Sequence, residues 1–343
     1  MTSPRLADLS VLTIAAGRPR HLANLVRGLT HQTVRPRELI VAVMQPEPYA
    51  LPHTSFPVRQ IRLTGSEHLP LAAARNAAAK AAEGAALAFV DVDCIPGPTL
   101  VADYAAAARP GAGIFMGEVE YLPDGAAAPG WSYDAFERVC ERHSDRRGPP
   151  LSGTEPCDDY RCFWSLNFAL AAKDFRRSPG FDESYLGYGG EDTDFAKAFT
   201  VGGGRLSWLR GAKVYHQYHP HAMPPVHHME SVIRNAERFR EKWGYRTMEH
   251  WLYAFELMGL IRKDGTFPDE TVTVLRQPDE ADLALCRQQS DMPYANTRRV
   301  IRLLQERVAG RALSDAEAVP AMRAGQARLL GGAEGAPAAV AAE

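Results

Sequence analysis

The sequence predicts an α/β protein: a mostly parallel sheet flanked by helices, with a helical region appended towards the C-terminus. Three observations predict it. Continuous apolar runs rich in β-branched residues recur through the first third, which is how strands buried on both faces read. Segments with apolar residues at helical spacing separate them, the alternation of a layered α/β sheet. Beyond residue 220 the strand-like runs give way to amphipathic helical ones.

"LSVLTIAA" (9–16) is the first buried strand. "PRHLANLVRGLTHQ" follows, with Leu22, Leu25, Val26 and Leu29 on one helical stripe. "ELIVAVM" (38–44) and "VRQIRLT" (58–64) are the next two strands. "LPLAAARNAAAKAAE" reads as a helix with a small-residue face, and "ALAFVDVD" (86–93) as the fourth strand. "GIFMGEVEYL" (113–122) reads as one strand and "GWSYDAFERVCERH" as a helix. "SDRRGPPLSGTEPCDDY" (144–160) is a polar, Pro/Gly-rich loop before the strand "FWSLNFALA" (163–171). The acids of "YGGEDTDF" (188–195) open a short helix, and "RLSWLRGAKVYH" (205–216) closes as a strand or hairpin. "VHHMESVIRNAERFREKWG", "MEHWLYAFELMGLI", "NTRRVIRLLQERVAG" and "DAEAVPAMRAGQARLL" read as helices. "GGAEGAPAAVAAE" is low in complexity and expected to be disordered. The expected organisation is a chemistry-bearing domain over 1–220, a helical region over 221–330 and a tail over 331–343.

A chain of 343 residues can hold one large domain or two modest ones. A formal charge of −2 gives no electrostatic footprint for nucleic acid or an anionic membrane. No run of 18 apolar residues occurs and the first ten residues carry no apolar signal core, so the expectation is a cytoplasmic protein without a transmembrane segment. The five cysteines are odd in number and lack a CxxC pair, which argues for reduced thiols rather than a disulfide framework.

Asp91 and Asp93 end the fourth strand, where ligands of open α/β sheets sit. In an extended strand the two carboxylates share a face, and hard oxygen donors suit Mg²⁺ or Mn²⁺ with phosphate oxygens. A strand-end turn is the plain alternative. His216 ends a later strand and offers a nitrogen ligand, ahead of the tract "HQYHPHAMPPVHH". Gly189 and Gly190 precede Glu191 and Asp192 at a helix start, where backbone N–H groups favour negative charge. Asp192 is therefore either a helix cap or a general base for an incoming hydroxyl. Arg18 and Arg75 are cations suited to a diphosphate, or plain surface arginines.

The order of these motifs resembles the family 2 glycosyltransferases with the GT-A fold, a Rossmann-like nucleotide-diphospho-sugar transferase architecture. The resemblance spans about residues 9 to 218, through "LSVLTIAAGRPRHLANLVRGLTHQ", "LAAARNAAAKAAEGAALAFVDVD", "NFALAAKDFRRSPGFDESYLGYGGEDTDF" and "AKVYHQ". "GFDESYLGYGGEDTDF" is also similar to the C-terminal module of β-1,4-galactosyltransferases and polypeptide N-acetylgalactosaminyltransferases. The resemblance implies a metal-dependent, inverting transfer of a hexose from a nucleotide-sugar donor to an acceptor hydroxyl. It implies that Asp91, Asp93 and His216 hold Mn²⁺ or Mg²⁺ and that Asp192 is the catalytic base. Glu191, Gly190 and Trp164 would meet donor or acceptor sugar, and Ala15, Arg18, Arg75 and Asp91 the nucleotide.

Two departures stand out. The resemblance favours UDP, but the run "ELIVAVMQPEP" lacks the acid that reads uracil in many family members; Gln45 or Glu47 would have to serve, and this departure keeps GDP open. Thr193 stands where the galactosyltransferases carry a third carboxylate. Rival readings are an inactive nucleotide-sugar-binding protein, a sugar nucleotidyltransferase and metal buffering by the histidine tract. "AAGRPRH", with one glycine, fits the nucleotidyltransferase's Gly-rich loop poorly. The acceptor is open among glycan, metabolite, lipid and peptide, and the amphipathic C-terminal helices allow a homodimer.

Overall fold

The computed structural model describes residues 5–63, 65, 68–143, 146–266, 269–287, 297–314 and 317–318. They divide into two compact units at Pro220/His221. The first unit begins with β1 (Arg5–Leu6), β2 (Leu9–Ala15), α1 (Pro19–Thr30), β3 (Val34–Arg35), β4 (Glu38–Val43), β5 (Val58–Arg62) and α2 (Leu71–Ala81). It continues through β6 (Ala86–Val90), β7 (Cys94–Pro96), α3 (Leu100–Ala107), β8 (Ile114–Met116), β9 (Val119–Tyr121) and α4 (Tyr133–Glu137). It closes with β10 (Thr154–Cys157), β11 (Asn167–Ala171), α5 (Ala172–Arg177), α6 (Glu191–Val201), β12 (Leu206–Leu209) and β13 (Val214–His216).

Eight strands form one sheet in the order β10-β12-β8-β11-β6-β2-β4-β5. Four of its seven neighbouring pairs are parallel, and the antiparallel ones lie at β11 and the β10 edge. β2, β4 and β6 are buried at every position, as their unbroken apolar runs require. One face of the sheet is covered by the α1 stripe of Leu22, Leu25, Val26 and Leu29. The other face receives the alanines of α2 and a packed set of rings, Phe89, Phe168, Phe181 and Phe195. Phe181 and Phe195 stack at 4.1 Å between centroids, which seats α6 on the core by its own second turn.

The structure differs from the sequence reading in the middle of the chain. "GIFMGEVEYL" is two strands, because the chain leaves the main sheet at Gly117 and enters a second sheet of order β7-β13-β9. A Cβ at Gly117 would collide with the Ala212 carbonyl and the Tyr104 hydroxyl. Asn167, fully buried, fastens this corner by donating to Glu118 O at 3.0 Å and Ala212 O at 2.8 Å. "RLSWLRGAKVYH" likewise divides between the two sheets, as β12 and β13. The helix expected over "GWSYDAFERVCERH" stops at Glu137, and Glu141 bridges to Tyr121 instead.

The second unit contains α7 (Met229–Trp243), α8 (Glu249–Leu257), β14 (Ile261–Asp264), β15 (Thr271–Val274), α9 (Glu280–Cys286) and α10 (Thr297–Ala309). It is not helical throughout: β14 and β15 pair antiparallel. The helix expected through "MGLI" ends at Leu257; Gly259, whose φ of 68° suits glycine, turns the chain, and Ile261 starts β14. Buried Arg246 binds Glu237 at 2.6 Å and Glu270 at 2.7 Å, holding α7 to the segment before β15. The helix expected over "DAEAVPAMRAGQARLL" falls almost wholly, and the tail 331–343 entirely, outside the described residues. Among the described residues no helix is long and apolar enough to cross a membrane.

Candidate active site

The site lies where β2, β4 and β6 end. β6 stops at Val90, and Asp91 to Asp93 form a turn closed by the Cys94 N–H on Asp91 O at 2.9 Å. The expectation of two carboxylates on one face of an extended strand is thereby corrected. β7 begins at once, and its Cys94 pairs with His216 of β13, while the Gln217 N–H donates to Asp93 O at 2.7 Å. This pairing carries a histidine from more than 120 residues downstream to Asp93.

Asp93 Oδ1 lies 3.5 Å from His216 Nε2, and Oδ2 lies 3.3 Å from His219 Nε2. One ligand atom from each of the three residues falls within 4.8 Å of the others. An oxygen with two imidazole nitrogens is a donor set that suits Mn²⁺-type cations. Asp91 is not part of this three-ligand cluster. His219 is; it lies in the histidine tract three residues beyond His216, and that spacing is the signal the sequence offers. Burial pushes the Asp93 carboxyl up, but His216, His219 and Arg18 outweigh that and hold it well below the usual carboxylate range.

Arg18 does not stand apart for a diphosphate. Its Nη1 donates to Asp93 Oδ2, and its Nη2 lies 3.4 Å from His219 Nδ1. It starts α1 in the left-handed region, at φ 51°, a conformation that non-glycine residues hold mainly at functional sites and turns. Ala15, at the end of β2, is buried in the core, and its carbonyl accepts the Met44 N–H at 2.8 Å. The neighbouring loop is fixed by Gln45, whose Oε1 accepts the Gly17 N–H at 2.8 Å, and by Tyr49, whose hydroxyl donates to Gly17 O at 2.6 Å.

The second half of the site is the start of α6. Gly190 is its N-cap, with φ 90°, and Gly189 has φ 89°. The glycine pair is there because two successive residues are left-handed, which alanine would resist. With Gly190 as the cap residue, Glu191 and Asp192 occupy the first turn, and Asp192 is not the N-cap. Arg75 is buried between the two halves: it donates to Glu191 at 3.0 Å and lies 3.5 Å from Asp91. Its guanidinium also lies 5.3 Å from the Phe181 ring centroid. Arg75 is thus already engaged by protein carboxylates rather than open to a ligand.

Burial, then Glu191, raises the Asp192 carboxyl to about 7 against the pull of Arg75 and the N–H groups of Thr193 and Ser165. Burial raises Asp91 to about 6, opposed by Arg75 and reinforced by Asp93 and Glu191. The Tyr188 hydroxyl, which the sequence reading passed over, is pushed up by burial and then by Glu191, Asp192, Asp91 and Asp93. It marks the place where all four acids converge. Trp164 stands beside this region, edge-on to His143 at 5.2 Å, and Tyr121 joins that pair to His216 by stacking at 4.8 Å.

Residues 151–220 match the family model described as "N-terminal domain of galactosyltransferase". The matched segment carries Glu191, Asp192, His216 and His219. Validoxylamine A glucosyltransferase of Streptomyces hygroscopicus subsp. jinggangensis (strain 5008) is 35% identical over 85 residues, 23% of this chain. Its counterpart from Streptomyces hygroscopicus subsp. limoneus is likewise 35% identical over 85 residues. These matches span only 18% and 17% of the relatives' own lengths. Among solved structures, GalNAc-T7 with UDP, GalNAc and Mn²⁺ aligns at a TM-score of 0.47 and 14% identity, over 73% of this chain and 51% of that one. S. aureus TarS 1–349 aligns at 0.44 and 16%, over 71% and 69%.

Proposed function

We propose that the chain is a glycosyltransferase that moves a hexose from a nucleotide-diphospho-sugar, UDP-linked by preference, to an acceptor hydroxyl with inversion. The observation that carries the reading is the convergence of two chemically different half-sites. Asp93, His216 and His219 bring one carboxylate and two imidazoles together at the carboxyl end of the sheet, a donor set that could hold a cation. Glu191 and Asp192 form an acidic pair linked to the same place through Arg75 and Asp91. A transferase needs both: charge neutralisation for the leaving group and a base for the incoming one. The family match over 151–220 supports the same reading, since it covers the whole acidic pair and both histidines.

Mn²⁺ or Mg²⁺ held by Asp93, His216 and His219 would supply the positive charge that a departing nucleoside diphosphate needs. The chain's own residues do the rest. Arg18, hydrogen-bonded to Asp93, is placed to turn its free donors to the phosphates. The loop pinned by Gln45 and Tyr49 borders the space for base and ribose. Glu191, held by Arg75, and Trp164 border the sugar. Asp192, with a carboxyl near 7, takes the proton of the acceptor hydroxyl as that oxygen attacks the anomeric carbon from the side opposite the diphosphate. The residues up to Pro220 would form the catalytic domain in a cytoplasmic enzyme.

The hexose is left to experiment, because the matching descriptions name a galactosyltransferase and glucosyltransferases. The test is thermal stabilisation by UDP-, GDP- and dTDP-sugars, each with and without Mn²⁺. A donor at 100 times its dissociation constant adds about 2.7 kcal/mol. One nucleotide giving a Mn²⁺-dependent shift that Asp93→Ala abolishes is the expected result. No shift with any donor would overturn the transferase reading.

A further inference from the structure

The β7–β13 pairing brings His216 to Asp93, but β13 ends at His216. His219 lies three residues further along the chain. The residues between are gripped from α1. Gln217 is 3% exposed, and both ends of its amide bind that helix: Oε1 accepts from Asn24 Nδ2 at 2.8 Å, and Nε2 donates to His21 O at 3.2 Å. Tyr218 O lies 3.1 Å from His21 Nε2; a carbonyl only accepts, so the imidazole donates. His21 and Asn24 are one helical turn apart and share a face, while Leu22, Leu25, Val26 and Leu29 of the same helix cover the sheet.

Asn24 is anchored in its turn. Its Nδ2 also donates to Ala127 O at 3.0 Å, and its Oδ1 accepts from Trp131 Nε1 at 3.0 Å. Gln217 meanwhile donates its backbone N–H to Asp93 O at 2.7 Å. One residue therefore binds the backbone of Asp93, ties itself to α1 through its side chain, and stands between His216 and His219 in the chain. A ligand that must be ordered when the cation arrives gives up part of its affinity to that ordering, and one held in place beforehand does not.

We propose that Gln217 and Asn24 are positioning residues for the cation site: their paired amides fix the backbone over 217–219, so that His219 is presented before the cation binds. The inference rests on the cation reading of Asp93, His216 and His219 given above, and adds two residues that do not touch the ion. Calorimetry of Mn²⁺ binding to the full chain, without donor, tests it. Gln217→Leu should weaken Mn²⁺ by about 10–100-fold. Asn24→Ala, at a half-buried helical position where alanine is favoured, should act in the same direction, and it decides alone if Gln217→Leu does not fold. Because the effect runs through His219, either change made in a His219→Ala background should cost no more than about a further twofold. With Co²⁺ in place of Mn²⁺, the visible spectrum of either variant should move towards that of His219→Ala. Unchanged affinity in both variants, or losses that multiply with His219→Ala as a general loosening of the fold would give, would overturn the proposal. A wild-type chain that binds neither Mn²⁺ nor Co²⁺ would overturn the cation reading and this inference with it, a result distinct from a wild type and variants that all bind equally well.

Discussion

Asp192→Asn separates the chemistry proposed for the acidic pair from a structural role. The Asp192 carboxyl titrates near 7, raised by burial and Glu191. A base acts ionised, so its competent fraction climbs from about one-tenth at pH 6 to about nine-tenths at pH 8, and kcat/KM should follow by about tenfold. Asparagine should lower turnover by about 10²–10⁴-fold and flatten that limb. The same titration has a signature in stability. The folded-state pKa lies above the unfolded carboxylate value of about 3.9, so the folded protein binds the extra proton. Stability then falls as pH rises towards and through 7. For one group at 7 the loss between pH 6 and pH 8 is about 1.4 kcal/mol. Asparagine cannot titrate, so the variant should gain about 1.4 kcal/mol relative to wild type over that interval. The assays are donor-saturated kinetics and denaturant unfolding at matched pH values. A constant stability difference across pH 6 to 8 would refute the perturbed carboxyl, and near-normal turnover of a folded Asp192→Asn would refute the base.

Other consequences can be measured with the same protein. Arg75→Met leaves Glu191 and Asp91 facing each other without their buried cation, and should destabilise the first unit by about 3–5 kcal/mol in denaturant unfolding. It should also move the Asp192 limb of the pH–rate profile upward, since Arg75 lowers that carboxyl. His219→Ala should weaken Mn²⁺ affinity in calorimetry by at least about tenfold, as should His216→Ala. An unchanged affinity in His219→Ala would reduce the cluster to Asp93 and His216. Arg18→Gln removes a cation from Asp93, so Mn²⁺ alone should bind more tightly while nucleoside diphosphate binds more weakly. Gly190→Ala forces a Cβ into the left-handed region and should cost about 1–2 kcal/mol by the same unfolding assay.

The sequence by itself determined the layered sheet. Short unbroken apolar runs rich in β-branched residues, such as "LIVAV", read as strands covered on both faces, and the α1 stripe and the alanine face of α2 supplied the covers. It also determined which acids to examine, because Gly-Gly before Glu-Asp is legible as a forced turn into a helix. Local pattern did not reveal the splitting of 113–122 and 205–216 between two sheets. That depends on Gly117 and Asn167 meeting Ala212, contacts between residues 45 or more positions apart. The candidate metal-ligand cluster was half legible for the same reason. Asp93 and His216 stood at strand ends, but His219 joins them only through the β7–β13 pairing. The arginines were the hardest to read, since a guanidinium carries no periodicity and its partner is chosen by the fold. Tertiary structure alone placed Arg18 on Asp93 and buried Arg75 between Asp91 and Glu191, because a buried charge must sit where opposite charges from distant segments converge.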